Sequence, residues 1–335
     1  MRPSALLERL LQLVPVLLGI ALVVFLMMQA TPGDPVELML GDALATPEQR
    51  EALRRDMGLD RPLPERFLHF LGNAVTFDFG QSFHHRRPVA DVILERLPAT
   101  IELTLAAMAI AIAVGVPLGV VAAVRRDGWI DRLATILGLA GVSMPGFWLG
   151  ILLIMLFSVQ LGWLPVSGRI GFGAEVPPVT GLLLVDTLLA GKPASFLEAL
   201  RHLLLPAVTL GLAMAALLMR VTRTSMLEAL RQDYVTFATA KGLPRRRVLI
   251  RHALKNALTP TVTVAAIETG TLLGGNMIVE TVFGWPGLGR LVVEGIFTRN
   301  YPLVQAAVLL YAVTYVLLNL LADVLQTVLN PKVRL

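Results

Sequence analysis

Read only for its apolar and polar positions, the chain is a series of long apolar runs separated by polar loops. The runs cover roughly residues 10–30, 101–124, 133–161, 203–220, 257–279 and 303–328. About 20 apolar residues in a helix cross the hydrocarbon of a bilayer, so the pattern predicts six membrane-spanning helices. The fourth is short as a strictly apolar run. It extends back through the amphipathic FLEALRHLLLPA (196–207), which predicts an interfacial start to the same helix. The first run, Leu10–Ala30, follows Arg2 and Arg9, as a signal peptide also would. Its length, the lack of a clear A-x-A cleavage site and the later spans favour an uncleaved first helix.

The polar segments then fix the topology. From Arg220 to Lys255 there are nine basic residues against two acids, Glu228 and Asp233. The loop 125–132 carries Arg125, Arg126 and Arg132, whereas 31–97 holds eleven acids and eight bases. Basic loops stay cytoplasmic, which puts both termini inside and 31–97, 162–202 and 280–301 outside. Trp129, Trp163, Trp285 and Tyr301 fall at span ends, where aromatic rings favour the headgroup level. The segment 31–97 is too long for a bare connector and reads as a small external subdomain. Within it TPEQREALRRDMGLD predicts a short helix, capped by Thr46, with Pro47 in its first turn and Gly58 at its end. The chain divides into an N-terminal helix (1–30), this subdomain (31–97) and a helical core (98–335) with a cytoplasmic loop at 221–256.

Composition agrees with the pattern: 55% of residues are hydrophobic, 16% are charged and the mean hydropathy is +0.70. The net charge of +5 is concentrated on particular loops, so topology accounts for it better than nucleic acid does. Cysteine is absent, which removes disulfides, thiolate metal sites and thiol catalysis.

Inside the spans, Ala107, Ala111, Gly115, Gly119 and Ala123 recur every four residues, and Ala266, Gly270 and Gly274 repeat the spacing. Such stripes let helix backbones approach closely in lipid. Pro117 and Pro145 lie within spans and predict kinks. Glu268 sits mid-span, where a carboxylate is costly unless it faces protein or a water-filled cavity. It either lines a translocation path or is a hydrogen-bonded structural acid, and Asn276 and Gln305 are weaker candidates of the same kind. Glu102 and Asp323 lie near span ends, within reach of water. No Walker A loop, H-E-x-x-H or G-x-S-x-G motif is present. His84 and His85, adjacent in an external loop, read as solvated. No catalytic constellation emerges.

One loop needs more than topology to explain it. Leu227, Leu230, Tyr234, Phe237 and Ala238 follow helical spacing; Gly242, Leu243 and Pro244 break it. A second helix then runs on through Asn256, with Arg247, Arg251 and Lys255 on one stripe. An apolar face on a cytosolic loop docks onto something.

The stretch TFATAKGLPRRRVLIRHALKNALTP (236–260) resembles the cytoplasmic coupling loop of binding-protein-dependent ABC import permeases of the peptide and nickel branch. Thr236 and Phe237 depart from the broader E-A-A…G pattern of such loops, while Ala238 and Gly242 match it. ATPGDP (30–35), SMPGFWLGILLI (143–154), VETVFGWPGLGRLVVEGIFTRNYPLVQA (279–306) and NPKVRL (330–335) also match, so the resemblance spans nearly the whole chain.

The resemblance implies an all-α, type I-like permease in a bacterial cytoplasmic membrane, without catalysis of its own. Its implied partners are a second homologous permease, two ATPase subunits that hold ATP and Mg, and an extracytoplasmic substrate-binding protein. Tyr234, Phe237, Ala238, Ala240, Lys241, Gly242 and Leu243 would form the ATPase-coupling element. Peptides are the implied cargo, with nickel complexes or glutathione as alternatives. A self-contained secondary transporter or channel is the rival reading; it would need intramembrane charges to couple an ion, and Glu268 is the one mid-span candidate.

Overall fold

The computed structural model describes residues 3–30, 34–40, 46–56, 58–171, 173 and 176–329. The matched stretch at 30–35 lies partly, and that at 330–335 wholly, outside these. Among the described residues the structure is helical, and the isolated bridge between Gln81 and Pro88 is the only β pairing. Among the described residues, four helices are long and apolar enough to cross a bilayer, or five spans if the bent pair described below is one. The four are α1 (Pro3–Ala30), α5 (Val89–Val124), α9 (Pro193–Leu230) and α15 (Tyr301–Leu329). The amphipathic stretch before residue 203 belongs to α9, a single helix of 38 residues.

The third and fifth apolar runs are broken. The third forms α6 (Trp129–Ser143) and α7 (Gly146–Leu153), which continues as a π-helical turn over Ile154–Gln160. The two arms bend by 102° across the break at Pro145, where the proline ring bars the preceding residue from helical geometry. Pro117, by contrast, lies inside the continuous α5. The fifth run forms α12 (Lys255–Leu273) and stops short of residue 279. Gly275 takes φ +86° against the backbone of Gly289, 2.5 Å from where a Cβ would stand, and Asn276 caps the next helix, α13 (Met277–Val282). Within α12, Thr263 and Thr269 return their hydroxyls to the carbonyls four residues back, at 3.1 and 2.7 Å, which satisfies them inside the helix.

The core is the pair α5 and α9. They run parallel: Gly115 meets Ala215, and Gly119 meets Met219. A Cβ at either glycine would stand 2.6 Å from the partner's carbonyl oxygen, and one at Gly211 would stand 2.8 Å from that of Ala107. Glycine lets these backbones touch, so the contact is van der Waals packing at its closest. Ala107, Ala111 and Ala123 are buried on the same stripe. The helix α12 packs antiparallel on α15, with Gly270 beside Tyr315 and Leu318 and Gly274 against Tyr311.

The segment expected to form the subdomain contains α2 (Pro35–Leu40), α3 (Pro47–Asp56) and α4 (Leu63–Val75), and its last residues belong to α5. The Thr46 hydroxyl accepts from the Gln49 amide at 3.3 Å while the Gln49 side chain accepts from the Thr46 amide at 3.0 Å, a reciprocal cap. Gly58 closes the helix at φ +63°. Phe67 and Phe70 of α4 pack on Phe25 of α1 at 5.4 and 5.8 Å. That places α4 against the membrane helices.

Candidate functional site

At the basic end of the core, α9 stops at Leu230 and α10 (Asp233–Ala240) begins after a turn. The single apolar face expected over Leu227–Ala238 is therefore divided between two helices. Leu227 and Leu230 pack inward as the end of α9, together with Val235 and Ala238 of α10, on Ala123, Met226 and Ala229. Tyr234 and Phe237 point the other way and are 39% and 62% exposed. Ala240 and Lys241 are exposed as well, and Leu243 is half-buried. The Lys241 ammonium lies 4.4 Å from the Phe237 ring centre, within cation–π range. Gly242 turns the chain at φ +75°, a left-handed conformation that glycine adopts without strain. Then Pro244 starts α11 (Arg245–Arg247), which runs through a π-helical turn (Val248–Leu254) into α12. Arg247, Arg251 and Lys255 are all exposed along this stretch.

Beside α10, the Arg223 guanidinium of α9 grips Asp131 of α6 through Nε and Nη2, the latter at 2.8 Å from Oδ2. Among the described residues, no ion pair or side-chain hydrogen bond ties α10 to another helix. A cavity of about 290 Å³ lies behind it, lined by Val124, Leu230, Val235, Thr239 and Val248 among others.

The three polar residues expected in the spans do not converge. Asn276 spends its side-chain oxygen on the amide of Val279 at 3.2 Å, capping α13. Gln305 lines a cavity beside α1 and the subdomain. Glu268 is half-buried on α12, and among the described residues no side chain pairs with it.

The opposite end is built on a polar network that sequence spacing did not disclose. Glu102 is 7% exposed, so it does not reach water as its place near a span end suggested. It accepts from Arg169 at 2.6 and 3.0 Å and from the Leu184 amide at 2.7 Å. Arg169 also donates to the Gly181 carbonyl and lies 5.9 Å over the Trp285 ring. Trp285 is 1% exposed, not at a lipid boundary: its indole N–H donates to the Ala99 carbonyl at 2.9 Å. The loop before α14 (Leu288–Phe297) is fastened by Thr100, whose hydroxyl donates to Glu280 at 3.1 Å and accepts from the Leu288 amide at 2.8 Å. Glu280 is fully buried and also accepts from the Arg290 amide. Burial pushes its carboxyl up to about 6, against those hydrogen bonds. Asp186, on α8 (Leu183–Leu189), goes the other way. Burial raises it, but bonds from the Thr180 hydroxyl and the Thr180 and Gly181 amides outweigh this and hold it below the usual range.

The described residues thus form packed helices of membrane-crossing length, with the exposed face of α10 at one end and a hydrogen-bonded loop assembly at the other. Comparison with known proteins agrees. A family model for the binding-protein-dependent transport system inner membrane component matches residues 115–335, and its N-terminal companion matches 4–104. The chain belongs to this family of inner membrane permeases, which are the membrane subunits of ABC transporters and not their catalytic parts. The di/tripeptide transport permease DppB of Pseudomonas aeruginosa is 46% identical over 323 residues, 96% of each chain. The dipeptide permease DppB of Escherichia coli is 45% identical over 98% of each. The E. coli glutathione permease GsiC is 41% identical, over 98% of this chain and 97% of its own. An inward-facing structure of the MetNI methionine ABC transporter shares the fold, with a TM-score of 0.53 at 18% identity, over 71% of this chain and 96% of that one.

Proposed function

We propose that this chain is one of two permease subunits of an ATP-driven importer of dipeptides and tripeptides. The higher identity to the two dipeptide-type permeases than to the glutathione permease supports that cargo. In this reading six helices cross the membrane, with the broken runs 133–161 and 257–279 as spans three and five and both termini in the cytoplasm. The parallel α5 and α9, the antiparallel α12 and α15 and the charge of the loops are consistent with that order.

The observation that carries the mechanism is the two-faced α10: its inner residues rest on the ends of α5 and α9, while Tyr234 and Phe237 face outward. The outer face would seat in a groove of an ATPase subunit. Nucleotide-driven movement of that subunit would then pass through Val235 and Ala238 to the core as a rigid-body displacement. ATP and Mg reside on the partners. The loops at 162–202 and 280–301, with the subdomain 31–97, would receive the loaded binding protein. Glu268, which no side chain among the described residues pairs with, would line the path and meet the cationic amino terminus of a peptide. Asn276 would shape that path through the loop it caps, and Gln305 would contribute from α15.

The test is reconstitution of the full complex in liposomes, reading dipeptide uptake and ATPase activity. Phe237→Ala removes an aromatic anchor from the docking face and should weaken ATPase-subunit binding about tenfold or more, lowering uptake in step. Unchanged copurification and unchanged uptake would sink the assignment. For the path, Glu268→Cys in this cysteine-free chain should react with a water-soluble thiol reagent in at least one nucleotide state. Intact transport with no labelling in any state would remove Glu268 from the path.

A further inference from the structure

Two cavities at the end away from the basic loops share a wall. The first, about 430 Å³, is a slot between α1 and α15, with Val24, Met27 and Met28 on one side and Val304 and Val308 on the other; Arg299 stands on its lining. The second, about 390 Å³, begins where the first ends, at Met28, Tyr301 and Gln305, and passes under the subdomain to Arg54, Arg61 and Arg66.

The depth of the pair is set by the helices that form it. Val24–Met28 are the last turns of the span Leu11–Ala30, and Tyr301–Val308 are the first turns of the span Tyr301–Val324. The slot therefore lies at the edge of the hydrocarbon and the basic cavity at headgroup level. The slot is open sideways, because Met27 on its wall is 66% exposed and its neighbour Val23 is 56% exposed. The charge is one-sided. Arg54 is matched by Asp34, which lines the same cavity. Among the described residues, Arg61, Arg66 and Arg299 have no acidic partner. Unpaired guanidinium groups favour phosphate oxygens, which they bind in fork geometry. An apolar slot open to lipid, continuous with a cationic chamber at headgroup depth, matches one kind of molecule in both halves.

We propose that the joined cavity holds one anionic phospholipid, an acyl chain in the slot and its phosphate between Arg61, Arg66 and Arg299. The lipid would fill the seam between α1, α15 and the subdomain and fix the subdomain on the membrane helices. A soluble phosphate or a peptide carboxylate would satisfy the arginines but leave the slot empty.

Native mass spectrometry of the assembled complex in detergent tests this, with phosphatidylglycerol, phosphatidylethanolamine, glycerol phosphate and a dipeptide as separate probes. Wild type should retain phosphatidylglycerol in preference to phosphatidylethanolamine. A double Arg61→Gln, Arg66→Gln variant should lose about 30-fold in apparent affinity for it, at roughly tenfold or less per basic residue near a membrane surface. The Arg61→Lys, Arg66→Lys pair should keep most of it. Met27→Trp, placed on the exposed wall, should block the slot without touching the arginines, and it carries the test alone if the glutamine variant does not assemble. Equal retention of both lipids by wild type and variants overturns the proposal. So does competition by glycerol phosphate as strong as that of the lipid, or displacement of the lipid by dipeptide.

Discussion

At one end of the α5–α9 pair, Glu102 and Arg169 form a buried ion pair, and Thr100 and Glu280 bind the loop before α14 through side chains and amides. At the other end, α10 is held by apolar packing alone among the described residues: its Val235 and Ala238 join Ala123, Met226 and Ala229 of α5 and α9 and Val248, Ala253 and Ala257 of the segment that follows it. Both are short helical units placed on the same two rods. The first is held by directional, desolvated bonds that are strong only in one geometry. The second is held by a small non-directional patch with a cavity behind it. A directional network specifies a position, whereas an apolar seat of this size tolerates a slide or tilt at little cost. The loop assembly is thus fixed in register by directional bonds, whereas among the described residues the seat of α10 has none.

The sharpest way to break the comparison is to remove one member of the ion pair. Glu102→Ala leaves the largely buried Arg169 with only the Gly181 carbonyl to accept from it, and the Leu184 amide without its acceptor, which should cost up to about 3–5 kcal/mol and lower the melting temperature of the complex in detergent. The Glu102→Gln, Arg169→Gln double variant should recover part of the loss. A melting temperature unchanged in Glu102→Ala would show that the network adds no stability. Next comes the seam between the ends. Gly115→Leu drives a side chain into the Ala215 carbonyl and Leu218, and overpacking of this kind costs about 1–3 kcal/mol, occasionally more. Size-exclusion chromatography should show a reduced yield of complex; a normal yield would mean that the rods separate freely.

A smaller effect follows from pH. Glu280 has its folded value raised to about 6 from an ordinary 4.5. Its contribution is therefore fully present below about 4.5 and is lost as pH rises through about 6, a swing of about 2 kcal/mol. Amide exchange over 277–297 should be slower at pH 5 than at pH 7.5, after correction for intrinsic rates, and Glu280→Gln should remove that difference. The same exchange profile in wild type and in Glu280→Gln would refute it. The smallest effect belongs to the α10 end. Gly242→Ala meets no neighbour, so only its φ of +75° opposes the change, at a cost of about 1–2 kcal/mol. Assembly should persist while uptake per ATP hydrolysed falls. Uptake and ATPase both at wild-type levels would mean that this turn plays no part in coupling.

The helix over 47–56 and the continuity of α9 were legible because each rests on local signals: a reciprocal cap, an apolar period and a terminal glycine. The four-residue spacing of Ala107 to Ala123 was legible as a stripe, but its partner was not, since nothing local points from Gly115 to Ala215. The polar network was hidden for the same reason. Glu102 meets Arg169 across 67 positions and Thr100 meets Glu280 across 180, so Glu102 read as a residue near water. Trp285 read as a boundary aromatic because composition cannot tell a ring at the headgroups from one sealed under a loop. The break after Leu230 was missed because apolar spacing continues across it while the chain turns.

The lengths of α5 and α9 carry one more consequence. At 1.5 Å per residue, helices of 36 and 38 residues are roughly 54 and 57 Å long, against about 30 Å of hydrocarbon. Both are therefore longer than the hydrocarbon is thick, and their backbones are in contact along the seam. A lever with a flexible joint loses part of each stroke before its load moves. In the proposed reading both helices run unbroken from the α10 end to the loop assembly, so a displacement delivered at one end would be matched at the other within the same stroke.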